Sequence, residues 1–336
     1  MNTTVEFEDA TKEVNVGIYF VILSIIGGII TIVGVPSNAL VYPILKSSHI
    51  VSKDTYFYLS VLSILDVCYL SIGPIYILIL PIYLPEYYFA FGDKCYLVCG
   101  ILYFLANSSV LFVVTLTLQR VKYLHSSKKL ITLRRKPNVS IQAKLIGTAI
   151  LLLCAIVSIA QIYEYEMDII TLNGKQGEVC LPISKRFYQR TISEAIGFTA
   201  QVTIGFVIPY SVIIPSNLYL LHYLFMYTRS PNYRRKNSDF YRTFSIIAIS
   251  TLLVILYLPR LVFFVYYEIY EHTINQLFLL KLYTTVVLRM GNNATHFYVY
   301  SLVQKKFRKA LCIKLRCTSN LPVTAMESIT SIEGCA

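Results

Sequence analysis

An all-α membrane protein, built as a bundle of seven transmembrane helices, is the fold class this sequence predicts. Three observations predict it. First, Lys, Arg, Asp and Glu gather between seven long apolar stretches. Val14 to Leu45, Cys95 to Gln119, Leu145 to Tyr163 and Ala195 to Thr228 hold none of them. Thr55 to Pro85 holds only Asp66, Thr243 to Tyr267 only Arg260, and Leu282 to Gln304 only Arg289. About 20 apolar residues in a helix cross a bilayer. Lipid offers no partner to a free backbone group, so each stretch must be a helix or part of a closed barrel. Barrel strands are short and alternating, whereas these runs are long and continuously apolar. Second, 56% of the 336 residues are hydrophobic and the mean hydropathy is +0.60, too apolar for a soluble domain. Third, the charges are sorted by side.

The sorting of charge fixes the expected orientation. Basic residues follow the third stretch (Arg120, Lys122, Lys128, Lys129, Arg134 to Lys136), the fifth (Arg229, Arg234 to Lys236) and the seventh (Lys305, Lys306, Arg308, Lys309, Lys314, Arg316). Acidic residues concentrate in the alternate segments (Glu86, Asp93, Glu164, Glu166, Asp168, Glu178, Glu268, Glu271). Positive loops stay cytoplasmic, so the N-terminus is expected outside, the C-terminus inside, and the chain is expected to be multi-pass in the plasma membrane. The net charge of +12 is thus directed at anionic lipid rather than at nucleic acid.

Taken in order, residues 1–15 read as an extracellular tail and 16–303 as the seven-span domain. Residues 304–317 read as a juxtamembrane amphipathic helix and 318–336 as a cytoplasmic tail. The tail has no basic segment and cleavage site of a signal peptide, and Asn2-Thr3-Thr4 is a glycosylation sequon on the outer side. The sequons at Asn107, Asn138 and Asn293 should be silent, in spans or inside. Asn173-Gly174 sits between strand-forming runs in the second outer loop, a hairpin signal. Of eight cysteines, Cys95 and Cys180 fall outside, where disulfides persist. Cys68, Cys99 and Cys154 lie in spans, and Cys312 and Cys317 follow the last span as palmitoylation candidates.

Several motifs run along the spans. The first has Pro36-Ser37-Asn38-Ala39-Leu40-Val41 and the second Leu62-Ser63-Ile64-Leu65-Asp66. Cys95 opens the third and Arg120 closes it, 25 residues on; that is roughly 38 Å of helix, one bilayer with its headgroups. Pro74, Pro209 and Pro259 fall inside spans two, five and six, and Tyr300 precedes Phe307-Arg308. In order and spacing, these residues resemble a rhodopsin-like (class A) G-protein-coupled receptor from about Gly34 to Cys317.

The resemblance implies a receptor for an extracellular ligand, coupled to heterotrimeric G proteins, with no enzymatic activity. It implies a Cys95–Cys180 disulfide that pins the hairpin across the mouth of the bundle. Arg120 would reach the G protein; the alternative is an Arg that snorkels to the interface. Asp239, at the inner foot of span six, would restrain Arg120 or else simply cap its helix. Asp66 would form a sodium and water pocket with Ser109, Asn292, Asn293 and His296, or a hydrogen-bonded network without the ion. Phosphorylation of the Ser- and Thr-bearing tail would recruit arrestin.

The departures from the family pattern fall on its switch motifs. Its Asp-Arg-Tyr reads Gln119-Arg120-Val121, its Cys-Trp-x-Pro reads Leu256-Tyr257-Leu258-Pro259, and its Asn-Pro-x-x-Tyr reads His296-Phe297-Tyr298-Val299-Tyr300. Asn217 stands where span five offers a Tyr, and the chain has no Trp. A non-signalling decoy of the same fold is therefore the second reading. The hairpin, Pro74 and Phe89-Ala90-Phe91-Gly92 resemble the peptide and chemokine branch, so the expected ligand is a peptide or small protein. Tyr103 and Leu102 stand near the position where an Asp would grip an amine. Arg260 and Arg289 are candidates to bind an anionic ligand group or to pair with internal acids; Tyr257 joins them in the expected pocket. A transporter or membrane enzyme would need paired intramembrane acids, a metal set or inverted repeats, and the spans offer only Asp66 and His296.

Overall fold

The protein is described by a computed structural model covering residues 3–48, 52–79, 95–127, 140–162, 165–172, 175–182, 191–228, 237–269 and 276–316. Helix α1 spans Thr3–Ser48 and α2 spans Lys53–Pro74. Then come α3 (Cys95–Ser127) and α4 (Ile141–Ile162). Strands β1 (Tyr165–Leu172) and β2 (Lys175–Pro182) follow. Next are α5 (Ile192–Val202), α6 (Ile208–Thr228) and α7 (Asn237–Ile269). The described chain closes with α8 (Gln276–Val303) and α9 (Lys305–Arg316).

Among the described residues, six helical stretches are long and apolar enough to cross a membrane: Ile18–Lys46, Lys53–Leu78, Tyr96–His125, Ile141–Ala160, Ala195–Met226 and Phe240–Phe263. The protein is a multi-pass, all-α membrane protein in its spanning part. Helix α8 falls short by composition, because Arg289, Asn292, Asn293 and His296 interrupt its apolar run. All four are buried. The polar residues of α8 therefore face protein, and its sequence looks less apolar than a lipid-facing helix would.

Helix α1 already begins at Thr3, inside the segment read as a tail. Glu6, Glu8 and Asp9 fall near its N-terminus, where negative charge complements the helix dipole. At α2, the Ser52 side chain accepts from the Thr55 N–H at 3.3 Å and so caps the helix. Asp54 in the first turn accepts from the Ser140 N–H at 2.7 Å and the Ser140 hydroxyl at 2.9 Å, tying this end of α2 to the start of α4. Two of the expected proline sites adjoin π-helical turns: Pro74 precedes Ile75–Ile79 and Pro209 follows Thr203–Val207. Proline removes a backbone donor and crowds the preceding turn, and a wide turn accommodates both.

The helices close into a ring. Helix α1 packs on α2 and α8, α8 on α7, α7 on α6, and α3 on α2, α4, α6 and α7. Small residues let backbones approach: a methyl at Gly34 would sit 2.9 Å from the Ala294 Cβ and 2.9 Å from Leu70 Cδ1. The outside of the ring is apolar. Ile22, Ile25, Ile29 and Ile32 are exposed along α1, and Leu145, Leu152, Ile156 and Ile159 along α4. Asp66, Asn38, Ser109, Asn292, Asn293 and His296 are buried inside. Apolar surface outward and polar groups inward is the distribution a lipid solvent demands.

Strands β1 and β2 pair antiparallel, from Tyr165 opposite Pro182 to Leu172 opposite Lys175, and β2 lies against α3. The turn at Asn173-Gly174 lies outside the described residues. At the other end, Phe307 of α9 is fully buried against Phe297 and Tyr300 of α8, with ring centroids at 5.8 Å and 6.0 Å. Lys305, Lys306, Arg308 and Lys309 are exposed. This amphipathic arrangement suits a helix lying along a membrane surface.

Candidate functional site

Two buried polar centres lie on the bundle axis, and a third cluster lies beyond them toward the hairpin end. The first is at the Ser127 end of α3. Arg120 is 8% exposed. Its Nε donates to Thr243 Oγ1 of α7 at 2.8 Å, and its guanidinium lies 4.9 Å from the Tyr123 ring centroid. This Arg is turned into the bundle, where the snorkelling alternative would have it turned out to lipid headgroups. Gln119 faces elsewhere: its Oε1 accepts from Thr55 Oγ1 of α2 at 3.3 Å. Successive helical residues point about 100° apart, so Gln119 and Arg120 serve different neighbours. The Asp239 backbone lies in the first turn of α7; its side chain is outside the description, as are those of Cys95 and Cys180. Sequence reading missed Thr243, because a Thr on an apolar helix gives no signal without its partner.

The second centre is built around Asp66, which is completely buried. Its Oδ1 accepts from the Ser109 hydroxyl at 2.8 Å, and its Oδ2 lies 2.7 Å from His296 Nδ1. Helices α2, α3 and α8 thus meet on one carboxylate. A contact of that length needs a proton between the two atoms, so each carboxylate oxygen has one hydrogen-bond partner. The expected Asn292 and Asn293 do not bond Asp66. Asn292 Nδ2 donates to Asn293 Oδ1 at 3.3 Å, and the Asn293 carbonyl accepts from Asn38 Nδ2 of α1 at 3.0 Å. Adjacent on the helix, these two residues cannot both face Asp66. A sodium ion would need oxygen ligands where His296 presents nitrogen. The arrangement fits the hydrogen-bonded network better than the ion cage. Among the described residues, no cluster of three His, Cys, Asp or Glu could hold a metal.

Neighbouring polar contacts lock the helices to one another. Asn217 of α6 donates to Thr251 Oγ1 at 3.1 Å and accepts from the Ser250 hydroxyl at 2.8 Å, both on α7. Gln304, between α8 and α9, donates to Ser245 Oγ of α7 at 3.2 Å. Tyr300 is buried with its hydroxyl unpartnered.

The third cluster holds Arg260, Arg289, Tyr103 and Tyr257. Arg289 is 5% exposed and Arg260 9%, so neither points into lipid. The Arg289 guanidinium lies against two rings, 5.4 Å from the centroid of Tyr69 and 5.1 Å from that of Tyr257. It does not pair with Asp66, which His296 already holds. Tyr103 on α3 is half-buried and lies within electrostatic reach of Arg289. Pro259 is exposed beside Arg260.

The remaining sites divide between described and undescribed residues. Asn107 and Asn293 are buried in helices, which closes both sequons to a glycosylating enzyme. Asn2 and Asn138 lie outside the described residues. Cys68, Cys99 and Cys154 are free thiols; Cys312 is free and exposed on α9, and Cys317 is outside the description. Compared with known protein families and with curated proteins, the chain matches no family model and no individual relative.

Proposed function

We propose that this protein is a rhodopsin-like G-protein-coupled receptor. It carries the binding of an extracellular peptide or small protein to heterotrimeric G proteins across the plasma membrane. In this reading α8 is the seventh span, and α5 and α6 together form the fifth. The hairpin is the second extracellular loop, tied by Cys95–Cys180, and the N-terminus is outside. The observation that carries the reading is Arg120. It is a buried guanidinium at one end of the central helix α3, with its Nε bonded to the Thr243 hydroxyl of α7, while β2 lies against that same helix. An Arg freed when α7 moves would present a planar fork of donors to the carbonyls of an inserted helix. The polar tail beyond Cys317 would carry the phosphorylation that recruits arrestin.

The test is a recruitment panel of G proteins in cells, with wild type and Arg120→Ala at equal surface expression. Wild type recruits at least one class and Arg120→Ala recruits none. Absence of recruitment by wild type across the panel would favour the decoy reading, which the altered switch motifs support. Orientation is tested separately, with epitope tags at Asn2 and Ala336. The first is expected to label on intact cells and the second only after permeabilisation. Surface labelling at Ala336 would overturn the topology and the function built on it.

A further inference from the structure

The second and third centres stack along the bundle. On α8, Arg289 precedes His296 by seven residues, about two turns or 10 Å. On α2, Tyr69 lies one turn beyond Asp66. On α3, Tyr103 lies between Cys95 and Ser109. Each step away from Asp66 leads toward the end where β2 meets α3. The arginine cluster therefore occupies the layer between the buried carboxylate and the hairpin.

Among the described residues, this layer holds two buried cations, Arg260 and Arg289, and no carboxylate beside them. Among the described residues, Asp66 is the one fully buried carboxylate, and it is held by His296 and Ser109. Among the described residues, no carboxylate pairs with Arg260 or Arg289. The Arg289 Nε is buried without a hydrogen-bond partner. Arg260 is buried on α7 three residues beyond Tyr257, on the same side of that helix, and the Arg289 guanidinium lies 5.1 Å from the Tyr257 ring. Tyrosine rings offset part of the cost of a buried cation, yet an uncompensated buried charge stays strongly unfavourable. Such a group is kept where an anion arrives from elsewhere.

We infer that Arg289 and Arg260, flanked by Tyr69, Tyr257 and Tyr103, form a built receiving site for a carboxylate of the ligand. The guanidinium fork offers two parallel N–H donors to a planar carboxylate. The fork is planar and pairs with a planar carboxylate through two parallel bonds, a match that a tetrahedral anion makes less closely. The Tyr257 hydroxyl supplies a further donor. This inference deepens the receptor reading, because it names the chemistry of the ligand's inserted end: a free C-terminal or side-chain carboxylate, and not an amide or an amine.

The experiment reads binding rather than signalling, so it can fail or succeed independently of G-protein coupling. Purified full-length protein in lipid nanodiscs is titrated with N-acetyl-phenylalanine, with N-acetyl-phenylalaninamide and with inorganic phosphate, and thermal unfolding is followed. The acid is expected to raise the unfolding temperature saturably, and the amide and phosphate are expected not to. Arg289→Met should weaken the acid's effect on the order of 30-fold or more while raising the unfolding temperature of the ligand-free protein, because a buried charge has been removed. Arg289→Lys keeps the charge and loses the fork; it should fold like wild type and bind the acid weakly. Equal shifts with acid and amide would overturn the inference, as would an acid effect that survives in Arg260→Met/Arg289→Met. A saturable shift with phosphate and none with the acid would assign the site to a different anion and overturn the carboxylate.

Discussion

Replacing His296 by Leu is expected to destabilise the protein by about 3 kcal/mol. Asp66 is fully buried, with one oxygen on the Ser109 hydroxyl and the other 2.7 Å from His296 Nδ1. Leu fills a similar volume but leaves one carboxylate oxygen without a donor in a low-dielectric site. Removing one member of a buried pair costs more than removing both, because the survivor keeps its desolvation penalty. Asp66→Asn/His296→Leu should therefore recover part of the loss, and the double-mutant cycle should show strong coupling. Unfolding in nanodiscs measures both. A loss below about 1 kcal/mol for His296→Leu would show that the pair does not hold the bundle. The same preparation tests the ion. Exchange of potassium for sodium chloride should leave wild-type unfolding unchanged, since His296 occupies the oxygen a sodium ion would use. A sodium-specific rise in unfolding temperature would restore the cage.

The second large effect concerns the inactive state, and it rests on the receptor reading. Thr243→Val removes the acceptor of the Arg120 Nε–H bond while keeping the shape. A charge-assisted hydrogen bond in a partly wet helix end contributes on the order of 1 kcal/mol, so its loss should raise ligand-free signalling several-fold. Gln119 adds nothing by charge, and its Oε1 is turned to Thr55. Gln119→Asp puts a negative charge one residue from Arg120, near enough to attract the guanidinium through space although position 119 itself is turned toward Thr55, and should lower basal activity. Asp239→Ala, at the start of α7, should raise it if that carboxylate also restrains Arg120. Basal G-protein recruitment at matched surface expression decides all three. Silence in wild type and in both Thr243→Val and Asp239→Ala would remove the restraint account.

The solvent around this protein is legible in its residues alone. Long charge-free runs can satisfy their backbone only as helices in lipid, and that argument needs no contacts. It also carried Asp66, Arg120, Arg260 and Arg289, because an ionisable group in an apolar run is conspicuous against the cost of burying it. It does not separate neighbours on a helix: Asn292 and Asn293 both read as partners of Asp66, yet the Asn292 amide donates to Asn293 Oδ1 and the Asn293 main-chain carbonyl accepts from Asn38 of α1. What only the tertiary structure decided is pairing. Thr243, Thr55, Ser250 and Tyr69 are ordinary residues in their own helices, and each acquires its role from a side chain that lies far off in sequence and close in space. Arg289 shows the same division most plainly. Its charge is legible in the chain, but its contact with the Tyr69 and Tyr257 rings, with Asp66 held by His296, follows from how α2, α7 and α8 pack, since short-range directional contacts are set by packing and leave no periodicity in the sequence.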